Sequence, residues 1–308
     1  MSAPEILVDG LAFGESPRWR DGRLWLADWG AGEVLTVDAA GRTEVVARVD
    51  GLPICFDWLP DGRLLLVAGS AGRLLRREPD GVLRTHADLA ALVPHPWNEV
   101  VTDARGNAYV NTIGFDFPGG EFRPGLVALV APDGGVRPVA DDLAFPNGMA
   151  LTPDGRTLIV AESYAGRLTA FDVARDGTLG GRRVWAAVPD SAPDGICLDA
   201  TGAVWYGDVP NRCAVRVAEP GLVLDRIELD RGCFACALGG PDGRTLHLVT
   251  TQWSPAALSG GPRTGQVRTL RVPARPPAEP RRPCTTGAIP CAPRNRDPVD
   301  ITTAIERH

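Results

Sequence analysis

The run NGMALTPDGRTLIVAESYAGRLTAFD, residues 147–172, decides the fold. It holds an apolar stretch, a Pro-Asp-Gly turn at 153–155, a short apolar run, a small-residue turn at Ala165-Gly166 and a second alternating run. Strands of about five residues joined by turns whose glycines supply a positive φ read as consecutive antiparallel hairpins. The same phrase recurs as ESPRWRDGRLWLADWGAGEVLTVD from Glu15 and FDWLPDGRLLLVAGSAGRLLRRE from Phe56, with weaker copies from Asn98, Asp194 and Phe234. The turn glycines of the six copies are Gly22, Gly62, Gly106, Gly155, Gly202 and Gly243, a spacing of 40 to 49 residues. That period fits a propeller blade.

No stretch keeps a 3.6-residue period, so helix is scarce. Radial blades also solve the problem of exposed sheet edges. The expectation is an all-β, six-bladed β-propeller of four-stranded blades occupying residues 1–272. Glu5-Ile-Leu-Val8 precedes the first full repeat and reads as a strand. It should supply the outer strand of the last blade and close the ring. From about Pro273 the alternation collapses into a Pro- and Arg-rich stretch, so 273–308 reads as a disordered tail.

Composition excludes several classes. The 308 residues are 44 % hydrophobic, enough for a packed core rather than a disordered or fibrous chain. All 32 basic residues are arginine, so Schiff-base chemistry and a phosphate-binding loop lack their lysine. A net charge of −6 with interspersed signs argues against nucleic acid, and no apolar run is long enough to span a membrane. The start, MSAPEILVDG, lacks a secretory pattern, so a soluble cytoplasmic chain is expected. There is no G-x-S-x-G elbow, H-E-x-x-H or G-x-G-x-x-G. Seven cysteines include one C-x-x-C, Cys233 to Cys236, with no second pair at zinc-site spacing.

In a propeller the innermost strands start near one mouth of the central channel, so their first residues converge. Counted back from the turns, these positions hold Glu15, Ile54, Asn98, Asn147, Asp194 and Ala235. Four of the six carry oxygen donors, and with no histidine or thiolate among them they form a hard set suited to Ca²⁺ or Mg²⁺. Asn and Asp also initiate turns, which is the structural reading of each position taken singly. The second strands return to the same mouth and bring Asp28, Thr112, Glu162, Asp208 and Thr251 towards it, as substrate contacts or as turn caps. Trp97, Phe115, Phe117, Phe145 and Trp253 are candidates for the wall of a pocket or for blade cores.

Three motifs carry a resemblance: G-E-S-P-R-W around Glu15, F-P-N-G-M-A-L-T-P-D-G-R-T-L around Asn147 and P-D-G-I-C-L-D around Asp194. Together, and over residues 5 to about 272, they resemble the gluconolactonase and senescence marker protein (regucalcin) family of six-bladed propellers. The resemblance implies a divalent cation, Ca²⁺ first and Mg²⁺, Mn²⁺ or Zn²⁺ as alternatives, held by Glu15, Asn147 and Asp194. Asn98 matches the asparagine beside metal and substrate. The implied activity is opening of a lactone or small ester by water, with Asp194 as general base. Phosphotriester hydrolysis at the same site and calcium or ligand binding without turnover are the alternatives. Relatives that hydrolyse sugar lactones carry an arginine where this chain has Pro96, and a sugar-binding carboxylate would fall near Phe115 or Asp116. With Trp97 beside Asn98, a less polar substrate is expected; Asp208 completes the set of candidate substrate contacts. No oligomeric state follows from these residues.

Overall fold

Turn chemistry builds the blades. Asp21 and Gly22 both take positive φ, 51° and 75°, as a two-residue hairpin requires, and Arg20 pairs with Arg23 across it. The computed structural model describes residues 3–258, 260–273 and 276–277, and within them 24 strands form six four-stranded sheets. Strand β1 (Glu5–Leu11) precedes the first blade, which is β2 (Gly14–Arg20), β3 (Arg23–Asp28), β4 (Glu33–Val37) and β5 (Thr43–Arg48). Blade 2 is β6 (Ile54–Trp58), β7 (Leu64–Ala68), β8 (Arg73–Arg77) and β9 (Leu83–Asp88); blade 3 is β10 (Trp97–Thr102), β11 (Ala108–Thr112), β12 (Gly125–Val130) and β13 (Val136–Leu143). Blade 4 is β14 (Pro146–Leu151), β15 (Thr157–Glu162), β16 (Arg167–Val173) and β17 (Leu179–Ala187); blade 5 is β18 (Pro193–Leu198), β19 (Val204–Asp208), β20 (Cys213–Ala218) and β21 (Leu222–Glu228). Blade 6 comprises β22 (Gly232–Gly239), β23 (Thr245–Thr251) and β24 (Gly265–Arg271), and β1 is its fourth strand, with Glu5 opposite Thr269 and Leu11 opposite Gly265. The ring is therefore closed by the N-terminal strand, as the sequence predicts.

The core is six wedges, one between each pair of neighbouring blades. Leu64, Leu66 and Ile54 of blade 2 pack with Ala27 and Val34 of blade 1, and Val67 and Leu74 of blade 2 pack with Trp97 and Val110 of blade 3. Both faces of a middle strand are thus covered. Leu64-Leu-Leu-Val-Ala68 is buried throughout and shows no polar alternation, whereas the outer strand β5 is mostly exposed. The Pro- and Arg-rich stretch 273–308 lies almost wholly outside the described residues.

Candidate active site at the channel mouth

Five of the six innermost strands carry a bulge at their start, and the bulge aims the candidate donors. Pairing slips between Glu15 and Arg18, Trp97 and Val100, Pro146 and Met149, Pro193 and Ile196, and Cys233 and Ala235. A bulge leaves its residues outside the ladder and re-aims their side chains. Strand β6 pairs without interruption. The register also fixes equivalence between blades: Gly14, Ile54, Trp97, Pro146, Pro193 and Gly232 face Asp28, Ala68, Thr112, Glu162, Asp208 and Thr251. The next residue of each innermost strand is Glu15, Cys55, Asn98, Asn147, Asp194 and Cys233. Ile54 and Ala235, expected in this ring from the sequence, are replaced by Cys55 and Cys233.

Glu15, Asn98, Asn147 and Asp194 line the floor of one cavity of about 500 Å³. Asn98 donates its Nδ2–H to Asn147 Oδ1 at 3.3 Å, and Asn147 Nδ2 reaches Ser163 Oγ at 3.5 Å. The Ser163 hydroxyl donates to Pro193 O at 2.8 Å, tying blade 4 to blade 5. Glu15 and Asp194 are both buried, and no salt bridge among the described residues reaches either one. Burial pushes the Glu15 carboxyl up to about 8, against a hydrogen bond from Ser16 N–H and with Glu99 adding to the rise. Burial, then the nearby Glu15 and Glu99, raises Asp194 well above the usual carboxylate range. Two buried carboxylates that disfavour each other's ionisation, with two amide oxygens beside them, fit a hard divalent cation. Among the described residues no three His, Cys, Asp or Glu side chains gather as a metal cluster; this donor set is half carboxylate and half amide.

Behind the floor is a layer that sequence reasoning missed. Glu99 accepts hydrogen bonds from Arg18 Nη2 at 2.9 Å, from Val100 N–H at 3.0 Å and from the Cys55 thiol. Buried Asn111 accepts from Glu99 N–H at 3.0 Å and donates to Asn147 O at 2.6 Å, clamping the bulges of blades 3 and 4 together. The one available signal was the acid next to Asn98 in Trp-Asn-Glu-Val. Burial holds the Cys55 and Cys233 thiols protonated, so neither offers a thiolate to the ring.

Three predicted substrate contacts do not reach the cavity. Trp97 is fully buried between blades 2 and 3, because a residue adjacent to Asn98 in a strand points the other way. Asp116 is solvent-exposed and meets His95 Nδ1 at 3.3 Å. Asp208 is buried and holds loops, accepting from Asn211 Nδ2 at 2.8 Å and from Ala192 N–H. Three of its equivalents do the same: Asp28 accepts from Phe13 N–H at 2.8 Å, Glu162 from Ala144 N–H at 2.8 Å, and Thr112 Oγ1 donates to Pro96 O. Cys236 approaches Cys197 of blade 5, Sγ to Sγ at 3.7 Å, rather than Cys233 of its own C-x-x-C. Phe117, Phe145 and Trp253 do border the cavity, together with Pro96.

A six-bladed propeller with converging oxygen donors at one end of its channel, beneath a largely apolar cavity that opens to solvent, defines a class of small-molecule sites. Residues 13–252 match the family described as SMP-30/Gluconolactonase/LRE-like region, and the chain belongs to that family, a lactonase and gluconolactonase type of hydrolase. It is 25 % identical over 277 residues to 6-deoxy-6-sulfogluconolactonase of Pseudomonas putida, which spans 84 % of this chain and 91 % of that one. Luciferin-regenerating enzyme superposes with a TM-score of 0.76 at 18 % identity, covering 90 % and 98 % of the two chains. The calcium-binding protein regucalcin of Agrobacterium tumefaciens does so at 0.72 and 23 %, covering 91 % and 97 %. These two likenesses speak for the fold. Among the described residues no helix is long and apolar enough to cross a membrane.

Proposed function

We propose that this chain is a metal-dependent hydrolase that opens a lactone or small ester with water, using Asp194 as general base. The observation that carries the reading is the meeting of Glu15, Asn98, Asn147 and Asp194 on one cavity floor that no basic side chain among the described residues lines. Glu15, Asn147 and Asp194 are the residues to hold a divalent cation, Ca²⁺ in the first place for an all-oxygen set. When bound, such a cation polarises the ester carbonyl and stabilises the charge that develops on its oxygen.

The chain's own residues supply the rest. Asn98 sits beside Asn147 and orients the acyl oxygen, its amide already aimed by the 3.3 Å contact. Asp194 takes the proton of the attacking water at a carboxylate oxygen and returns it to the leaving alkoxide. The apolar wall above the floor keeps bulk water away from the carbonyl, which strengthens every polar contact to it. Support comes from the family and from the lactonase name of the Pseudomonas relative.

Asp194→Asn keeps an oxygen for the cation and removes the base. Acid release should fall roughly 10²- to 10⁴-fold at saturating cation. Turnover within threefold of the parent protein refutes the assignment of Asp194.

A further inference from the structure

The cavity's polarity is confined to its floor. Besides Glu15 and Asp194, no charged side chain among the described residues reaches its surface. Deep in the wall the groups that could hydrogen-bond are already engaged: Trp29 Nε1 donates to Ile54 O at 2.5 Å, and the Ser163 hydroxyl to Pro193 O, while the Tyr164 hydroxyl and the Trp253 indole N–H belong to side chains that stay well exposed to solvent. The remaining wall is apolar, with Phe13, Ile113, Phe145, Val209, Phe234 and Leu258 among its residues. A buried ligand hydroxyl that finds no partner here loses roughly tenfold in affinity.

Over this wall lies an aromatic roof. Phe117 comes from the segment between β11 and β12 in blade 3, and Trp253 from the segment between β23 and β24 in blade 6. Those blades stand opposite each other in a ring of six, yet the two rings stack across the mouth, 6.1 Å between centroids and 14° from parallel. Phe117 meets Phe145 edge-on at 5.2 Å, Phe145 meets Tyr164 at 4.7 Å, and Trp253 meets Phe234 at 5.9 Å. Phe117 and Trp253 remain 41 % and 39 % exposed, large apolar faces that a ligand's apolar arm would cover.

From the polar floor, the apolar wall and this roof, we infer that the substrate is a lactone bearing an aryl or medium-chain alkyl arm, not a polyhydroxylated sugar lactone. The inference rests on the lactonase reading above. The ester group lies on the floor beside Asn98 and Asn147, and the arm lies beneath Phe117 and Trp253.

Two lactones of the same ring size test it: δ-undecalactone, with a six-carbon arm, and glucono-δ-lactone. With the cation-loaded protein, kcat/KM should favour δ-undecalactone by roughly 100-fold or more, several methylenes at a few-fold each. Phe117→Ser and Trp253→Ser should each raise its KM about tenfold with kcat changed far less. Equal or better turnover of glucono-δ-lactone overturns the inference and leaves the lactonase reading standing. Binding is read separately with the corresponding lactams, 6-hexylpiperidin-2-one and gluconolactam, which are not hydrolysed, by calorimetry. If neither lactone turns over but the hexyl lactam binds tighter, and the two variants lose that preference, the lactonase reading fails while the apolar site stands. Tighter binding of gluconolactam, or no binding of either lactam, overturns the inference.

Discussion

Asn98 and Asn147, 49 residues apart in the chain, meet amide to amide at 3.3 Å on the floor of the channel mouth. Their contact is made by bulges in neighbouring blades and held from behind by Asn111, which bridges Glu99 N–H and Asn147 O. Asn98→Ala removes the donor that fixes the orientation of the Asn147 amide. Activity should fall about 10- to 100-fold and cation affinity about tenfold, the usual effect of losing a group that orients a ligand. Titration calorimetry with Ca²⁺ beside initial rates checks both; unchanged affinity would mean that Asn147 needs no such support.

The position of Asp194 depends on the glycine that follows it. A Cβ on Gly195 would lie 2.4 Å from Ala235 Cβ and 2.9 Å from Phe234 O, so innermost strands β18 and β22 cannot both stay where they are. Gly195→Ala should cost about 1–3 kcal/mol of stability, the range for overpacking, and displace the adjacent carboxylate. Chemical denaturation and cation titration measure the two effects. A variant of parental stability and affinity would contradict the packing described for blades 5 and 6.

Ring closure is testable by truncation. Removing residues 1–10 takes most of β1 from β24, deletes buried Val8 and leaves an open edge. Several kcal/mol should be lost, and the melting temperature should fall by more than about 8 °C for a domain of this size. An unchanged melting temperature would show that blade 6 does not need its outer strand.

His247 gives the fold a pH dependence away from the site. It is buried, stacked on Trp19 at 5.3 Å, and burial lowers it from 6.5 to about 4. Between those values the unfolded chain binds the proton and the folded one does not. Stability is therefore fully present above about pH 7 and is lost as pH falls towards 4, by up to about 3 kcal/mol. His247→Phe, which keeps a ring against Trp19, should flatten the decline in melting temperature between pH 7 and pH 4.5. An identical decline in both proteins would place the sensitivity elsewhere.

The blades were legible because their turns need particular residues: Asp21-Gly22 and Gly62 take backbone angles that few other residues accept, so their spacing shows in the chain. Four ring positions were legible for the same reason, each lying seven or eight residues before such a glycine. The other two were not. Blade 2 lacks the bulge, which shortens the count by one and puts Cys55 rather than Ile54 in the ring, while the longer paired strands β22 and β23 move blade 6 to Cys233. Trp97 was misread because neighbours in a strand face opposite ways, and Asp208 because its carboxylate ties loops instead of facing the cavity. The Arg18–Glu99–Cys55 layer joins three blades, a relation that no spacing within one blade encodes.

The central claim is hydrolysis dependent on a cation held at the channel mouth. Its most direct measurement is acid release from a panel of sugar, aliphatic and aromatic lactones by the purified protein, before chelation, after it, and after Ca²⁺, Mg²⁺, Mn²⁺ or Zn²⁺ is restored. The account predicts turnover that disappears with the chelator, returns with Ca²⁺ and is absent from Glu15→Gln whatever cation is added. Turnover that survives complete chelation, or silence across the panel from a protein that binds Ca²⁺ tightly, would contradict it.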